Sequence, residues 1–322
     1  MPLPLPVPEL LAGAHVVAVP MRVPFRGTTV REAVLVEGPA GWGEFAPFPE
    51  YDDAESARWL AAALEAAWTG WPHPVRDRVE VNATVPAVEP ARVREVLERF
   101  PGCRTAKVKV GEAGQSLADD VARVAAVRRV LGADAGLRVD ANGAWTVAQA
   151  REALHALAEH GLEYAEQPCA TVEELAELRA GGCPVPVAAD ESVRRADDPL
   201  RVAALGAADV VVLKVPPLGG VRAALDVAQA CGLPVVVSSA LDTSVGISAG
   251  LALAGALPDL PYACGLATTG LMAADVADLV VADGSLPVRA VAPDPARLQA
   301  LAAPKDRQVW WRDRLARCAA LL

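Results

Sequence analysis

The chain has 322 residues, 53% hydrophobic and 22% charged, which is enough apolar material for two domains or for one large α/β barrel with additions. The formal net charge is −10 and no basic run of five or more residues occurs, so nucleic acid and anionic membranes should be repelled. Aromatic residues make up only 4%, which favours buried parallel strands alternating with helices over an aromatic-rich nucleic-acid surface.

The amino-terminal eleven residues are rich in proline and have neither a positively charged start nor a long apolar stretch, so no signal peptide is predicted. The longest stretch of low charge, 243–258, is shorter than a membrane span and predicts a buried helix. Cysteines are scattered without a C-x-x-C pair, which is typical of buried thiols in a reducing compartment. We therefore expect a cytoplasmic protein without membrane association, and no obligate protein partner is evident.

The first part of the chain, 14–69, is predicted to form three strands followed by a helix over 53–68. Short apolar runs then alternate with amphipathic segments, of which 117–131, 146–159 and 172–180 are predicted helices. The eight predicted strands of this part are 80–84, 106–110, 137–141, 163–167, 185–189, 210–215, 235–239 and 262–265. Finally, 275–322 is predicted to form a hairpin around Asp283-Gly284 and a terminal helix.

Eight strands that alternate with helices are typical of a parallel (β/α) barrel. A doubly wound sheet would also alternate, but it usually has fewer strands, and neither G-x-G-x-x-G nor G-x-x-x-x-G-K-[ST] occurs. We predict an α/β fold in which the barrel, 78–274, lies beside a capping domain built from both chain ends, 1–77 and 275–322. Two loops with weak helical signal, 22–29 and 41–51, are expected to reach over the barrel mouth.

Ionisable residues recur near the carboxyl ends of five consecutive predicted strands, where barrel active sites form. In chain order they are Lys107 and Lys109, Asp140, Glu166, Asp190 with Glu191, and Lys214. Their spacing is roughly one strand–helix unit throughout, so they are predicted to share one height in the barrel. Charged side chains inside a barrel are unfavourable unless they are paired or bound to a metal. The pattern therefore predicts a functional site.

The residue types indicate the chemistry of that site. Asp140, Glu166 and Asp190 offer only oxygen ligands, which favours Mg²⁺, with Mn²⁺ as a substitute. Lys107 and Lys109 point to the same face of their strand, so mutual repulsion and a nearby cation should lower a lysine pKa and make a neutral base available. Metal and ammonium together would stabilise an enediolate formed by α-proton removal.

Taken singly, each of these residues also has a structural explanation. A K-x-K motif is usually a solvated strand end, an aspartate after a strand often caps a helix, and Lys214 could extend to the surface. The shared barrel mouth is what favours the functional interpretation. The histidines lie in flanks or helices without metal-pair spacing and are interpreted as structural.

Across essentially the whole chain, the motifs resemble those of the muconate-lactonising branch of the enolase superfamily. The similar segments are Lys107-Val108-Lys109 (K-x-K), Asp140-Ala141-Asn142 (D-x-N), Glu166-Gln167-Pro168 (E-[EQ]-P), Asp190-Glu191-Ser192 (D-E-S) and Lys214 on strand six. The resemblance implies a (β/α)₇β modified TIM barrel with an α+β capping domain. It also implies Mg²⁺ bound by Asp140, Glu166 and Asp190, with Glu191 behind the ligands.

Within that branch the chain most resembles the o-succinylbenzoate synthases, in Arg138 two residues before Asp140 and in the stretch from Ser238-Ser239 to Gly246. Dipeptide epimerases typically have an acidic D-x-D near strand eight for the substrate's ammonium group. Residues 263–269 contain no acid here, which argues against a substrate with a free amine. N-acylamino acid racemases use the same lysines and metal, so they remain an alternative.

The resemblance implies a lyase that dehydrates 2-succinyl-6-hydroxy-2,4-cyclohexadiene-1-carboxylate to o-succinylbenzoate, a step toward menaquinone. Lys109 would remove the α-proton and then protonate the departing hydroxyl. Lys214 would face the other side of the ring and stabilise the anionic intermediate. The residues implied to bind this small carboxylate substrate are Lys107, Arg138, Asn142, Ser238, Ser239 and Gly265.

Two interpretations of other classes stay open at this stage. Barrel lysines also form imines, so a Schiff-base aldolase is one alternative. A catalytically silent barrel used only for binding is the other, although the complete set of carboxylates and lysines disfavours it. The sequence gives no indication of oligomeric state.

Overall fold

The computed structural model describes residues 6–25, 27–194 and 199–322. A short helix α1 (Val7–Ala12) precedes three antiparallel strands, β1 (Ala14–Phe25), β2 (Thr28–Gly38) and β3 (Gly41–Phe45). Helix α2 (Asp53–Leu64) packs on this sheet and continues as a π-helical segment, Glu65–Thr69. We call β1–β3, the connection 46–52, α2 and the π-helical segment the capping layer.

Most of the first predicted mouth loop and the first half of the second are strands, which corrects their assignment as loops. Residues 22–25 end β1, residues 28 and 29 begin β2, and 41–45 form β3, which pairs with β2. Burial alternates along 22–25, as expected for a strand with one buried face. Arg26, at the tip of the first predicted loop, lies outside the described residues. Phe25 and Phe48 nevertheless reach the pocket at the barrel mouth.

The barrel contains a parallel sheet whose strands follow one another in chain order. These strands are β5 (Ala83–Val85), β6 (Thr105–Lys109), β7 (Gly136–Asp140), β8 (Tyr164–Glu166), β9 (Val187–Ala189), β10 (Val210–Leu213) and β11 (Val235–Val237). Their residues are buried almost throughout, as expected for strands covered on both faces. A short strand β4 (Arg78–Glu80) precedes β5. The α/β fold is thereby confirmed.

The predicted eighth strand, 262–265, is not a regular strand in the described part of the chain. Single parallel bridges instead join Cys264 to Val81 and Gly265 to Ser238. Residues 264 and 265 thus join the segment beside β5 at one edge of the sheet to the end of β11 at the other edge, which closes the barrel. The backbone of Gly265 lies so close to Ser238 that a Cβ at this position would be 2.5 Å from Ser238 Oγ. Glycine therefore permits this close approach.

Helices follow the strands of the barrel in the chain. They are α3 (Val93–Leu97), α4 (Leu117–Leu131), α5 (Val147–Leu157), α6 (Val172–Ala180), α7 (Glu191–Arg194), α8 (Arg201–Ala204), α9 (Val215–Leu218), α10 (Val221–Cys231) and α11 (Ser244–Ala256). Ser116, Thr146 and Thr171 begin α4, α5 and α6 with capping boxes. Helix α11 is buried, as predicted for 243–258. Among the described residues, no helix is both long and apolar enough to cross a bilayer.

The carboxyl-terminal part returns to the capping layer. The predicted hairpin is a tight turn with positive φ at Asp283 and Gly284, closed by a single antiparallel bridge between Ala282 and Ser285, and β12 (Ser285–Pro287) then pairs with β4. Helices α12 (Pro295–Ala300) and α13 (Lys305–Ala319) follow. Trp311 on α13 donates a 2.8 Å hydrogen bond to Glu32 on β2, so the chain ends pack together. The domain boundaries at 77/78 and 274/275 stay predictions.

Candidate active site

The predicted site residues of adjacent strands lie side by side at one end of the barrel. Strand register pairs Thr84 with Lys107, Lys109 with Asp140, and Asp140 with Glu166. Asp190 and Lys214 follow directly after β9 and β10. All of these side chains are buried. The spacing in the sequence thus becomes lateral proximity, because parallel strands end at the same edge.

The two lysines of β6 bind carboxylates of the neighbouring strands. Lys107 Nζ lies 2.7 Å and 2.8 Å from the two oxygens of Glu166 and 3.2 Å from Asp140 Oδ2. Lys109 Nζ contacts the same Asp140 oxygen and donates to Asn142 Oδ1 at 2.7 Å. The ammonium group of Lys107 therefore bridges Glu166 and Asp140, and the ammonium group of Lys109 also contacts Asp140.

A second group of charges surrounds Asp190. Lys214 Nζ lies 2.6 Å from Asp190 Oδ2, and Arg194 Nε lies 3.0 Å from Oδ1. Arg194 also binds Glu191 Oε1 at 2.6 Å, and the same oxygen accepts from Asn142 at 3.3 Å. Glu191 and Asn142 thus connect the two groups of charges. Sequence analysis missed Arg194, although its position four residues after Asp190 on a helical turn was a usable signal.

The surroundings move the pKa values of the site in opposite directions. Burial raises the pKa of Glu166 to about 7, and the charge of Asp140 adds to the effect. Burial works against charge on Asp140 too, but Lys109 and Lys107 hold its pKa below the usual range. Asp190 is likewise buried, yet Lys214 and Arg194 lower its pKa to about 2.

The neighbouring lysines differ from each other. Burial lowers the pKa of Lys109, and the charge of Lys107 adds to this against the opposing effect of Asp140. Burial acts in the same sense on Lys107, but Glu166 and Asp140 outweigh it and raise its pKa. Of this pair, Lys109 is therefore the better candidate for a neutral base.

Three residues beside the site have unusual backbone conformations. Asn142, Gln167 and Leu241, each just beyond a strand end, have φ values of 48°, 39° and 62°. Such left-handed conformations are unfavourable for non-glycine residues and persist where surrounding contacts hold them. The Gln167 side chain provides such contacts, because its Oε1 accepts from the backbone N–H of Asp190 at 2.9 Å.

The donor set fits a hard divalent cation. Three buried carboxylates supply oxygen ligands, and an ammonium group already bridges Glu166 and Asp140 as a cation would. Within 6–25, 27–194 and 199–322, no three potential ligand side chains are gathered around one point, since lysines lie between the carboxylates. Asp140, Glu166 and Asp190 are the residues that could hold the ion.

The pocket at the barrel mouth contains most of the predicted substrate contacts. It is narrow, with a free volume of about 30 Å³. Predicted residues that line it are Lys107, Lys109, Asp140, Asn142, Lys214, Ser238, Ser239 and Gly265. Lining residues that sequence analysis missed are Phe25, Phe48, Thr84, Arg194 and Thr268. Thr84 could have been found, because it ends a predicted strand as the other site residues do.

Arg138 lies apart from this pocket. Its guanidinium donates to Glu163 at 2.6 Å and to the carbonyl of Ala263 at 2.7 Å, and it stacks on Tyr164 and Tyr262. The reason is periodicity: Arg138 precedes Asp140 by two residues, so it faces the same interior one layer deeper. This geometry gives no support to its predicted role as a substrate contact.

Comparisons with known proteins agree with this architecture. The Enolase C-terminal domain-like family matches residues 90–293, and the Enolase N-terminal domain-like family matches 16–67. The chain is 61% identical over 316 residues to an o-succinylbenzoate synthase of Mycolicibacterium smegmatis, covering 98% of this chain and 97% of that protein. The chain belongs to the o-succinylbenzoate synthase family of the enolase superfamily. An o-succinylbenzoate synthase of Mycobacterium marinum is 59% identical over 325 residues, covering 100% and 98%.

Solved structures share the fold. A muconate lactonizing enzyme of Pseudomonas fluorescens has a TM-score of 0.77 at 23% identity, covering 90% of this chain and 98% of that one. The L-Ala-D/L-Glu epimerase of Bacillus subtilis has a TM-score of 0.72 at 23% identity, covering 87% and 96%. The predicted family and the barrel with its capping domain are confirmed. Enzymes of this superfamily depend on a divalent metal, typically Mg²⁺.

Proposed function

We propose that this chain dehydrates 2-succinyl-6-hydroxy-2,4-cyclohexadiene-1-carboxylate to o-succinylbenzoate in menaquinone synthesis. The main support is the identity of 61%, over 98% of the chain, to a protein with the corresponding name. The buried lysines and carboxylates at the barrel mouth provide the acid–base groups that such an elimination requires. A small carboxylate is the substrate, and the proposed location is the cytoplasm.

Lys109 is assigned the proton transfers. As a neutral amine it takes the α-proton of the substrate, and as an ammonium group it returns that proton to the departing hydroxyl, so water leaves and the ring becomes aromatic. Its lowered pKa supports the first half of this cycle. Asn142 orients the group through a 2.7 Å hydrogen bond. Aromaticity makes the elimination strongly favourable.

Lys214 faces the substrate from the opposite side. It follows β10, whereas Lys109 ends β6, and three strands separate these two in the sheet. The ammonium group of Lys214 would stabilise the anionic intermediate by its charge. Lys107, which has the raised pKa, stays charged and would hold the substrate carboxylate.

Asp140, Glu166 and Asp190 are proposed to hold Mg²⁺, for which Mn²⁺ could substitute. When bound, the ion would supply positive charge that stabilises the substrate carboxylate as electron density moves onto it. Glu191 lies behind these residues and orients Asn142 and Arg194. The lysines and Arg194 compensate the three buried carboxylates in this structure, and a bound cation would take over part of that compensation.

The far side of the pocket is proposed to bind the succinyl tail. Ser239 Oγ donates to the carbonyl of Gly265 at 2.8 Å and lies 2.8 Å from Thr268 Oγ1. Ser238 and Gly265 line the same side. Small hydroxyl-bearing residues leave room for a chain that ends in a carboxylate.

The racemase and epimerase alternative rests on the same lysine arrangement. Lys109 and Lys214 approach from opposite sides, as a two-base racemase requires. Against a dipeptide substrate, the described pocket residues near strand eight, Gly265 and Thr268, are uncharged. An aldolase or a silent barrel is less well supported, because each lysine is tied to a carboxylate in a buried network.

The test is a direct assay of aromatic product with Mg²⁺ and with chelator, alongside α-proton exchange of an N-succinylamino acid and of Ala-Glu in deuterated buffer. We expect rapid, Mg²⁺-dependent aromatisation and no exchange on the dipeptide. Exchange of either amino-acid substrate without aromatisation would replace this proposal by the racemase or epimerase alternative. Activity that persists in chelator, together with a lysine–substrate adduct trapped by borohydride, would favour the aldolase.

A further inference from the structure

Two carboxylates of the capping layer lie at the amino-terminal ends of two barrel helices. Glu44 on β3 accepts hydrogen bonds from the N–H groups of Thr243 at 3.2 Å and Gly246 at 3.1 Å, at the start of α11. Glu65, just after α2, accepts from the N–H groups of Val221 and, at 3.2 Å, Arg222, at the start of α10.

Such N–H groups lack partners within the helix and need an external acceptor. The N-cap position before α10 is Gly220, which has no side chain that could cap the helix, so Glu65 supplies the acceptor. A residue of a different layer thus does what a local Ser or Asp usually does. The Arg222 side chain adds a second contact across the interface, at 2.9 Å to Glu65 and 2.8 Å to the Gly70 carbonyl.

A glycine makes space for the carboxylate at both helices. A Cβ on Gly220 would lie 2.4 Å from Glu65 Oε2, and one on Gly246 would lie 2.8 Å from the Glu44 carboxyl carbon. Either contact would force the acid away. The same solution at two successive helices indicates a built interface rather than a chance contact.

These helices follow the strands that position the pocket. The chain runs from Lys214 into α9 and α10, and from Ser238 and Ser239 through 240–243 into α11. Arg31 on β2 holds the same connection, since its Nε donates to the Leu241 carbonyl at 3.1 Å. In return, the capping layer brings Phe25 and Phe48 to the pocket.

We propose that Glu44 and Glu65 are positioning residues, which hold the capping layer on the barrel so that Phe25 and Phe48 close the pocket over the substrate. This inference rests on the proposed function for its kinetic readout. Burial and Asp242 raise the pKa of Glu44 to about 8, so its hydrogen bonds, more than its charge, make the attachment. The decisive variants therefore remove the acceptors: Glu44→Leu and Glu65→Leu, with Glu44→Gln and Glu65→Gln as conservative variants.

Asp275 offers a matched control. Its Oδ1 accepts from the N–H and the hydroxyl of Ser244, both at 3.1 Å, so it also caps α11. However, it begins the predicted carboxyl-terminal segment 275–322 and lies outside β1–β3, α2 and the π-helical segment, so it caps α11 without belonging to the capping layer as defined above. If helix capping alone matters, Asp275→Leu will resemble Glu44→Leu, whereas attachment of the capping layer predicts that they differ.

The experiment combines steady-state kinetics with amide hydrogen exchange on the full chain. We expect KM to rise about tenfold in Glu44→Leu and Glu65→Leu while kcat changes less than about threefold, with smaller effects in the Gln variants. Exchange should accelerate at 221–222 or 243–246 and also in the capping layer around 46–51. Asp275→Leu should accelerate exchange only at the start of α11 and leave KM unchanged.

Two results would overturn the inference. One is wild-type KM and wild-type exchange around 46–51 in both Leu variants; the other is an equal rise of KM in Asp275→Leu. If Glu44→Leu does not fold, Glu65→Leu provides the test by itself. Glu65 lies at the edge of the interface, beside the half-exposed Arg222, so its replacement should be better tolerated. A wild-type chain without aromatisation would refute the proposed function, and the exchange arm would still test the attachment.

Discussion

The carboxylate of Glu166 is almost fully buried and faces the ammonium group of Lys107 at 2.7 Å. Buried charges are stable only with partners, and loss of one partner leaves the other uncompensated. In this site the partners form a chain from Glu166 through Lys107, Asp140 and Lys109. Each residue is therefore held by at least one charge of the opposite sign, and a divalent cation would compete with the lysines for the same oxygens.

Glu166→Gln tests the metal assignment at this scale. The change removes the negative charge of Glu166 and replaces one of its two oxygens by an amide nitrogen, while the shape of the side chain is kept. Mg²⁺ affinity measured by calorimetry should therefore fall more than about tenfold. Glu163→Gln is the control, because Glu163 lies three residues earlier and binds Arg138 outside the pocket. Unchanged Mg²⁺ affinity in Glu166→Gln would remove Glu166 from the set of ligands.

At the scale of elements, local signals start the helices and tertiary contacts complete the strands. Thr171 begins α6 by accepting from Glu174 N–H at 3.2 Å, while the Glu174 carboxylate accepts from Thr171 N–H at 2.9 Å. Such reciprocal caps depend on residues three apart, so they are visible in the sequence. Helices 117–131 and 172–180 were accordingly predicted with the bounds that the structure has.

Thr171→Ala should destabilise α6 without disturbing the site. Loss of an N-cap costs about 1 kcal/mol, and urea unfolding should show a decrease of that size in the free energy of unfolding. We expect kcat/KM to stay within twofold of wild type, since α6 lies on the outer surface of the barrel. A large loss of activity at unchanged stability would mean that α6 contributes to the site in a way that this structure does not explain.

Strand eight shows what local signals could not predict. The run 262–265 is apolar and was assigned as a strand, yet only bridges at Cys264 and Gly265 form. Its pairing depends on how closely two ends of the barrel approach, which no local pattern encodes. The hairpin predicted at Asp283-Gly284 does form, closed by a bridge between Ala282 and Ser285, but the pairing of β12 with the distant β4 is likewise not encoded locally.

At the scale of the whole molecule, the two chain ends form one body around the capping layer. Arg314 on α13 is buried and donates to the carbonyls of Phe48, at 3.1 Å, and Tyr51, and to Ser56 Oγ at 2.7 Å. The carboxyl-terminal helix thus supports the segment that carries Phe48 to the pocket. Its position connects the carboxyl-terminal helix to the pocket at the barrel mouth.

Arg314→Met should lower the free energy of unfolding by about 3 kcal/mol, because it leaves buried carbonyl groups without this donor. KM should rise as well, since Phe48 loses its support. Arg317→Met serves as the control: Arg317 forms a surface ion pair with Asp53 at 2.7 Å, and such pairs contribute less than about 1 kcal/mol. Equal stability losses in the two variants, measured by chemical denaturation, would contradict this role of Arg314.

The sequence predicted much of the site because equal spacing on parallel strands becomes proximity. Asp140, Glu166, Asp190 and the lysines followed from that rule alone. Phe25 and Phe48 did not, because they reach the pocket from the capping layer and share no periodicity with the barrel. Arg138 shows the opposite difficulty: it lies on a site strand, but one layer below the pocket, and its role as a substrate contact stays a prediction. Which residues line the pocket depends on how deep in the barrel interior each side chain lies, and spacing along the chain does not specify that depth.

The division of labour between the lysines is the central claim, and kcat/KM for dehydration tests it in Lys109→Ala, Lys214→Ala and Lys214→Arg. Loss of a general base typically costs about 10²–10⁴-fold, and Lys109 serves both half-steps, so Lys109→Ala should be nearly inactive. Lys214→Arg keeps the charge on the opposite side and should retain more activity than Lys214→Ala. Dehydration near the wild-type rate in Lys109→Ala would contradict the account.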